Sequence, residues 1–426
     1  MKLNINRATL SPDLDAPEGG TYLNAVLPIL WPGQAQVART SRWRRRNGGD
    51  VHLVLPSADK PKLLVPARPR RVAASAVRNF KTAASTREQF VISALAAATR
   101  IGLAGLLSDR VVIEYPAGAA PDGIDAHLSS VLGHRVWVSM YISPARAVRK
   151  PLLQVIGSDG DTLAFAKVGV DPFTRALVRH EGKVVRYLAT RPTSVLRVPS
   201  VLHSGTWRGH EVLVQSAVER GAAPRSDNPH LCEAMREVSR ARECTTTTLT
   251  ASSYWRQTVR RVTALPDSAH KKSLQRLVQI IETANPCTAL DFGSSHGDWA
   301  PWNLTVAGGH VHAWDWEKFE SDVPVGFDAV HFEVHGNVVL GGRTPAAAFG
   351  DTLQRAQDLL APLGVQATVR RLVIVLYALH IAVRYLEDGE LSAGAGRMSR
   401  LSTWLESFVA AAGDHVPRGG VNGDTR

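Results

Sequence analysis

The sequence predicts an α+β protein of two lobes, an antiparallel-sheet lobe followed by a mainly helical lobe, with an additional α+β module in front. Alternating apolar runs separated by short turns occupy residues 136–215, which is typical of half-buried strands. Helical patterns dominate after residue 218, and a Gly-, Ala- and Pro-rich gap precedes the first lobe. The domains expected are therefore an N-terminal module, a sheet lobe, a helical lobe and a flexible tail, at 1–128, 129–218, 219–412 and 413–426.

The N-terminal module begins with two short apolar runs at 51–56 and 62–66, joined by a polar turn. They predict a pair of strands, and the patterns at 72–82 and 87–107 predict two helices after them. The second helix is apolar but is interrupted by Arg100. Because a bilayer requires about 20 consecutive apolar residues, we expect a buried or amphipathic helix here and no transmembrane segment in the chain.

The sheet lobe is predicted from a hairpin at 136–142 and 152–156, followed by a tight turn at Gly157–Gly160. Leu163–Gly169 then alternates apolar and polar side chains, as a half-buried strand does, and it carries Lys167. The helical lobe is predicted from apolar periodicity in seven segments, near 230–242, 252–263, 269–283, 328–339, 346–360, 367–387 and 398–412.

Composition is that of a folded globular protein, with 44% hydrophobic and 21% charged residues in 426. The three cysteines are an odd set without metal-ligand spacing, and the N-terminus lacks the apolar core of a signal peptide. We therefore expect a cytoplasmic protein.

More than half of the net charge of +12 lies in the N-terminal module, with clusters at Arg42–Arg46 and Arg68–Arg71. Such clusters can contact nucleic acid or an anionic surface. A solvated face on a basic protein is the commoner explanation, and it is the one we favour.

The most informative stretch runs from His296 to Asn303, and Asp315 follows twelve residues later. A phosphoryl-transfer site of the kinase type needs an Asp to accept or orient the hydroxyl proton, an Asn five residues later and a second Asp for magnesium. Asp298, Asn303 and Asp315 occur in that order. A short loop can direct Asp298 to the acceptor and Asn303 to the metal, while a hairpin returns Asp315 beside them. Their oxygens are the ligands that magnesium prefers.

This pattern resembles the superfamily of aminoglycoside phosphotransferases and choline kinases, which are small-molecule kinases with a protein-kinase-like fold. The family's His-Gly-Asp motif, with an Asn five positions on, falls on His296, Gly297, Asp298 and Asn303. Its Asp-Trp-Glu metal motif falls on Asp315–Glu317. The resemblance implies Asp298 as the catalytic residue and Asn303 and Asp315 as the metal ligands. We group His296 with Asp298 because its ring is expected to bond nearby backbone and fix the loop.

The resemblance also implies a nucleotide-binding set in the sheet lobe. In the family a strand Lys contacts the α- and β-phosphates of ATP and is held by a helix Glu, which suggests Lys167 and Glu181 here. Gln215 to Val218 would form the hinge against the adenine. Asp328 would hold the catalytic loop by hydrogen bonds.

Two features depart from the protein-kinase pattern. No G-x-G-x-x-G covers the first hairpin, whose connection is basic instead. Asp291-Phe292-Gly293 imitates the kinase metal triplet but precedes the catalytic loop, so we assign the metal role to Asp315.

The sequence thus predicts an ATP- and magnesium-dependent kinase acting on a hydroxyl of a small molecule such as a sugar, an aminoglycoside or another metabolite. Glu333, Glu387 and Asp388 are possible acidic groups for a cationic acceptor. The basic balance of the chain favours a sugar or other metabolite. The alternative is a pseudokinase or scaffold that acts through its basic module on a partner, nucleic acid or membrane surface.

Overall fold

The structure of the chain is a computed structural model that describes residues 19–32, 35–38, 50–79, 86–104, 108–115, 122–143, 148–219, 221–225, 227–389 and 401–417. It combines antiparallel sheet and α-helices, and the predicted α+β class is confirmed. The Arg42–Arg46 cluster lies outside the described residues.

The strands of the described residues are numbered in chain order. They are β1 (Ala35–Ala38), β2 (Asp50–Leu55), β3 (Leu63–Pro66), β4 (Asp109–Ile113), β5 (Trp137–Tyr141), β6 (Leu152–Ile156), β7 (Thr162–Gly169), β8 (Leu196–Arg197), β9 (Val201–Trp207), β10 (His210–Ser216), β11 (Thr245–Thr248), β12 (Ala289–Ser295), β13 (Leu304–Ala307), β14 (His310–Ala313) and β15 (Glu320–Pro324).

The α-helices are numbered in the same way. They are α1 (Gly19–Leu30), α2 (Arg70–Arg78), α3 (Thr86–Ile101), α4 (Ile124–Leu132), α5 (Pro172–Ala189), α6 (Pro229–Ser239), α7 (Ser253–Ala264), α8 (Ala269–Ala284), α9 (Phe327–Val339), α10 (Pro345–Gln354), α11 (Ala356–Leu360), α12 (Arg370–Glu387) and α13 (Leu401–Asp414).

The chain divides into two compact units. The first, called the sheet unit, comprises the described parts of Pro12–Gly182 and Ser200–Ala217. Nine of its strands form one antiparallel sheet in the order β1-β4-β2-β3-β5-β6-β7-β10-β9. Successive side chains point to opposite faces of a strand, so Leu53 and Leu55 enter one apolar core while Val54 enters the other.

The sheet runs without a break across the boundary predicted near residue 128. Leu63 of β3 pairs with Tyr141 of β5, and Leu64 pairs with Met140. Backbone hydrogen bonds therefore join the strands predicted for the N-terminal module to those predicted for the sheet lobe. The two segments thus share one sheet. The division predicted near residue 128 stays a prediction.

The second unit, called the helical unit, comprises the described parts of Lys183–Pro199 and Val218–Arg426. Its central helix is α12, in which every residue from Leu372 to Arg384 is buried. A helix that is buried on all sides belongs to the inside of a core, and α12 packs against α7, α9 and α13.

Each segment that periodicity predicted for the helical lobe contains an α-helix, with several changes of its bounds. The pattern at 346–360 is divided at Arg355 into α10 and α11, and α12 starts at Arg370 after a 3-10 turn at Ala367–Val369. Helix α13 continues past the predicted end at 412 to Asp414, and the residues beyond 417 lie outside the described part. Among the helices that the structure describes, none is long and apolar enough to cross a membrane.

Replacing Leu376, which is fully buried in α12, should test how far the helical unit depends on this helix. Leu376→Ala removes packed side-chain atoms and leaves a cavity, so we expect a loss of about 2–5 kcal/mol in the free energy of unfolding. The matched control is Leu340→Ala, because Leu340 is 64% exposed, and a change within about 0.5 kcal/mol is expected there. Urea-unfolding midpoints measure both. Equal midpoints for the two variants would contradict the central role of α12.

Candidate active site

The candidate catalytic loop follows β12 and is fastened by the Asp328 carboxylate. Asp328 lies in the first turn of α9 and is buried. Its Oδ1 accepts hydrogen bonds from the Ser295 hydroxyl at 2.7 Å and from the Gly297 backbone N–H at 3.1 Å, and its Oδ2 accepts one from the His296 backbone N–H at 2.9 Å. The loop-holding role predicted for Asp328 is confirmed by these contacts.

Gly297 has to be glycine for two reasons. Its φ is +80°, a conformation that costs other residues energy. A Cβ placed on it would also lie 2.2 Å from the Lys318 carbonyl oxygen. The loop therefore passes the backbone of Lys318 at a distance that leaves no space for a side chain.

His296 is fully buried and contacts backbone through both ring nitrogens. Its Nδ1 accepts the Asp298 backbone N–H at 3.1 Å, so Nε2 carries the proton and donates to the Trp314 carbonyl at 3.0 Å. Burial lowers the pKa of His296 below its ordinary value, in keeping with a neutral ring. The ring thus fixes the backbone of the loop, as expected from the sequence, while its membership of the catalytic group stays a prediction.

Asp298 and Asn303 are brought together within the loop. The Asn303 Nδ2 donates to the Asp298 backbone carbonyl at 3.0 Å and to the Asp298 Oδ2 at 2.9 Å. Both bonds use Nδ2, so neither occupies the Asn303 Oδ1 atom, which can serve as a ligand for a hard cation.

A hairpin returns Asp315 to the same place. Strands β13 and β14 form an antiparallel pair in which Leu304 lies opposite Ala313. The Trp314 backbone N–H adds one more hydrogen bond, to the Asn303 carbonyl at 3.1 Å. Asp315 follows directly in the left-handed conformation, with φ +68°, which Asp tolerates better than most residues. The predicted return of Asp315 by a hairpin is confirmed.

Two groups of side chains in the helical unit have the donors of a metal site. The carboxylate oxygens of Asp315 and Glu317 lie within 4.8 Å of each other, and carboxylate oxygens are ligands that magnesium prefers. Ligand atoms of Asp298, His331 and His335 also lie within 4.8 Å of one another.

His331 is a site residue that the sequence did not reveal. It comes from α9, is buried, and its Nε2 lies 3.0 Å from the Asp298 Oδ1. A second histidine, His335, follows four residues later, so both rings lie on one face of the helix. This spacing was the signal in the sequence that could have indicated the site. Burial raises the pKa of the Asp298 carboxyl, but the His331 hydrogen bond and the charge of Arg384 lower it by more, so its net pKa is well below the ordinary value.

Arg384 is a second residue that was missed. It lies in α12, is buried, and donates to the Gly297 carbonyl. Burial lowers the pKa of Arg384, and the nearby Tyr385 and Asp298 raise it by more, so the guanidinium stays charged. It supplies a fixed positive charge behind the catalytic loop.

The nucleotide-binding candidates Lys167 and Glu181 meet inside the sheet unit. The Lys167 Nζ lies 2.6 Å from both carboxylate oxygens of Glu181, and both side chains are buried. Gln215 is also buried, and its Nε2 donates to the Glu181 Oε1 at 3.3 Å. Its side chain therefore supports the Lys-Glu pair. Val218 is half-buried and belongs to the helical unit.

The acidic residues considered for a cationic acceptor are all paired with basic side chains. Glu333 pairs with Arg355, Glu387 with Arg261, and Asp388 with Lys318. Their charges are thereby compensated within the helical unit.

The tryptophans of the motif divide into two classes. Trp299 and Trp316 are fully buried around the His296 ring, with centroid separations of 5.6 and 4.4 Å. Trp302 is 41% exposed. Large buried aromatics pack loops, whereas Trp302 has a surface that solvent and ligands can reach.

No family model and no curated protein matches the chain. Solved structures to which it is similar include an aminoglycoside phosphotransferase, a thermostable mutant with ADP and hygromycin B, at 12% identity over 68% of this chain and 98% of that one, with a TM-score of 0.47. A spectinomycin phosphotransferase with ADP and spectinomycin has 14% identity over 67% of this chain and 97% of its own, with a TM-score of 0.41. An amicoumacin kinase with AMP-PNP and Ca²⁺ has 14% identity over 66% of this chain and 89% of its own, with a TM-score of 0.42. At 12–14% identity and TM-scores below 0.5, these likenesses do not establish the function of this chain.

Gly297→Ala should damage the loop more than the same change at a glycine with open space. Gly309 is the matched control, because its φ is +77° and a Cβ there would meet none of the described atoms within 4 Å. We expect Gly309→Ala to cost about 1–2 kcal/mol of unfolding free energy and Gly297→Ala to cost clearly more, because it adds the overlap with Lys318. Thermal unfolding of both variants measures the difference. Equal costs would mean that the loop can move away from Lys318.

Proposed function

We propose that the chain transfers the γ-phosphoryl group of ATP to a hydroxyl of a small molecule. The main support is the pairing of Asp298 with Asn303 in one loop, together with Asp315, which directly follows the residue Trp314 whose backbone N–H bonds the Asn303 carbonyl. Acid-base catalysis and magnesium binding at a kinase-type site need these groups in this arrangement.

The oxygen donors fit magnesium. Asn303 Oδ1 is not used by the bonds to Asp298, and Asp315 and Glu317 add two nearby carboxylates. When bound, magnesium neutralises the charge on the phosphate oxygens. These residues would hold the ion, since hard oxygen ligands suit it.

Asp298 would act on the acceptor. Its carboxylate accepts the hydrogen bond of the substrate hydroxyl and so aims the oxygen at the γ-phosphorus. As the new O–P bond forms, the bond from the γ-phosphorus to the leaving oxygen breaks, ADP departs and the hydroxyl proton passes to Asp298. A carboxylate of low pKa is a weak base, so its contribution is mainly to orient the hydroxyl, as expected where positioning dominates catalysis.

Lys167 would bind the nucleotide phosphates. A lysine side chain is flexible, and the two short contacts to Glu181 hold its ammonium in one place. Gln215 adds a hydrogen bond to the Glu181 carboxylate and so helps to hold the pair.

The acceptor we favour is an uncharged hydroxyl compound, such as a sugar or a related metabolite. Recognition of a polycation requires carboxylates that are not already neutralised, and Glu333, Glu387 and Asp388 are each paired with a basic side chain. The net charge of +12 acts in the same direction.

Magnesium should strengthen ATP binding, and Asp315→Asn should remove most of that gain. Asn is chosen because Asp315 has a φ of +68°, which Asn tolerates and Ala does not. We expect the magnesium-dependent gain in affinity to fall by at least about tenfold, or about 1.4 kcal/mol. Calorimetric titration with and without magnesium measures it, and Asp267→Asn, at an exposed surface ion pair, is the control. Absence of ATP binding in the wild type would favour the scaffold alternative.

Asp298→Asn should remove turnover and leave ATP binding nearly unchanged. The loss expected is about 10²- to 10⁴-fold in kcat, the range for a positioned acid-base group. ADP release is measured with a panel of free sugars, amino sugars, aminoglycosides and choline. Asp291→Asn, in the triplet that imitates a kinase metal motif, serves as the matched control and should keep activity. A fully active Asp298→Asn protein would refute the assignment.

A further inference from the structure

The Asp298 carboxylate is held at both oxygens by side chains of the protein. Asn303 bonds Oδ2 from within the loop, and His331 approaches Oδ1 from α9 at 3.0 Å. His331 is 1% exposed. Its contact with the carboxylate indicates a role in the geometry of the reaction.

A second buried side chain holds His331 in turn. The Tyr377 hydroxyl, on α12, lies 3.1 Å from the His331 Nδ1, and Tyr377 is 2% exposed. Tyr377, His331 and Asp298 therefore form a continuous hydrogen-bonded line from the core of the helical unit to the candidate catalytic loop.

The surroundings of His331 favour its neutral form. The His335 ring stacks on it at a centroid distance of 3.7 Å and an angle of 22°. The guanidinium of Arg384 is another electrostatic neighbour of the ring. Two stacked imidazoles beside a guanidinium disfavour an added proton, because like charges repel at short range.

A neutral ring fixes the direction of every hydrogen bond in the line. An ionised carboxylate can only accept, so the His331 Nε2–H donates to Asp298. The Nδ1 atom is then an acceptor, and the Tyr377 hydroxyl donates to it. Each group has one role, and exchanging the roles would leave a buried polar atom unpaired, which is unfavourable.

We propose that Tyr377 and His331 form a positioning chain that holds the Asp298 carboxylate in the orientation required to receive the substrate hydroxyl. The proposal rests on the proposed function, because it assumes that Asp298 orients the acceptor. With Asn303 on one oxygen and His331 on the other, the carboxylate cannot rotate without losing a charge-assisted hydrogen bond. His331 and Tyr377 are positioning residues, since they act through Asp298.

The hydrogen-bond directions can be tested without any substrate. Long-range ¹H–¹⁵N spectra of the protein labelled at histidine, with His331 assigned by comparison with His331→Gln, should show the Nε2–H tautomer throughout pH 6–8. Tyr377→Phe should shift the Nδ1 resonance more than the Nε2 resonance. The proposal would be overturned by an Nδ1–H tautomer or by a ring that is charged in this range. It would also be overturned if adding Zn²⁺ removed the signal, because that would mark the cluster with His335 as a metal site.

Kinetics separate positioning from a merely structural role. His331→Leu removes the donor at similar volume, whereas His331→Gln keeps an N–H that can reach Asp298. We expect kcat for ADP release, with the best acceptor of the panel or with water, to fall at least tenfold in His331→Leu, while KM for MgATP stays within twofold. His331→Gln should recover most of the loss, and Tyr377→Phe should cause a smaller loss of the same kind.

The control is His380→Gln, another buried histidine of the helical unit, which pairs with Glu320. Equal kcat values for His331→Leu and His331→Gln, or a loss in His331→Leu no greater than in the control at equal folded fraction, would overturn the proposal. Failure of the proposed function is recognised separately, because the wild type would then bind no MgATP. The spectra would still show whether Tyr377, His331 and Asp298 form the hydrogen-bonded positioning chain.

Discussion

The Asp328 carboxylate is the group on which the candidate active site depends. It accepts hydrogen bonds from three consecutive residues of the loop, Ser295, His296 and Gly297. A buried carboxylate is costly unless it is fully hydrogen-bonded, and a loop with unpaired backbone N–H groups is costly for the same reason. The carboxylate of Asp328 and the donors of the loop satisfy each other's hydrogen-bonding needs. The start of α9 and the end of β12 therefore determine one loop conformation. The direction of Asp298 follows from that conformation.

Both units place charged side chains in apolar surroundings and compensate them locally. In the sheet unit, Lys167 and Glu181 form a buried pair, supported by Gln215. In the helical unit, Asp298 has donors on both oxygens, from His331 and Asn303. Removing one partner of such a pair leaves an uncompensated buried charge, which is more costly than the pair itself is stabilising. Pre-positioned polar groups of this kind are what a phosphoryl-transfer enzyme needs, because its catalysis consists largely of positioning and electrostatics.

The structure brings together those predicted residues that are close along the chain. Asp298 and Asn303 are five residues apart, and Asp315 returns through a single hairpin, so motif spacing was enough. His331 and Arg384 reach the same loop from 33 and 87 residues away. No spacing rule connects a loop to the face of a helix so distant in sequence, because the contact depends on how α9 and α12 pack. The continuity of the sheet across residue 128 was missed for the same reason, since strand pairing between β3 and β5 is a long-range choice.

The sequence by itself determined the α+β class, the positions of most helices and strands, and the candidate residues Asp298, Asn303 and Asp315, because hydrophobic periodicity and motif spacing are local properties. Only the tertiary structure decided which side chains surround that carboxylate and which proton donors it receives. Burial and hydrogen-bond direction depend on all neighbours in space, and the placement of His331 against Asp298 exists only once the helices have packed.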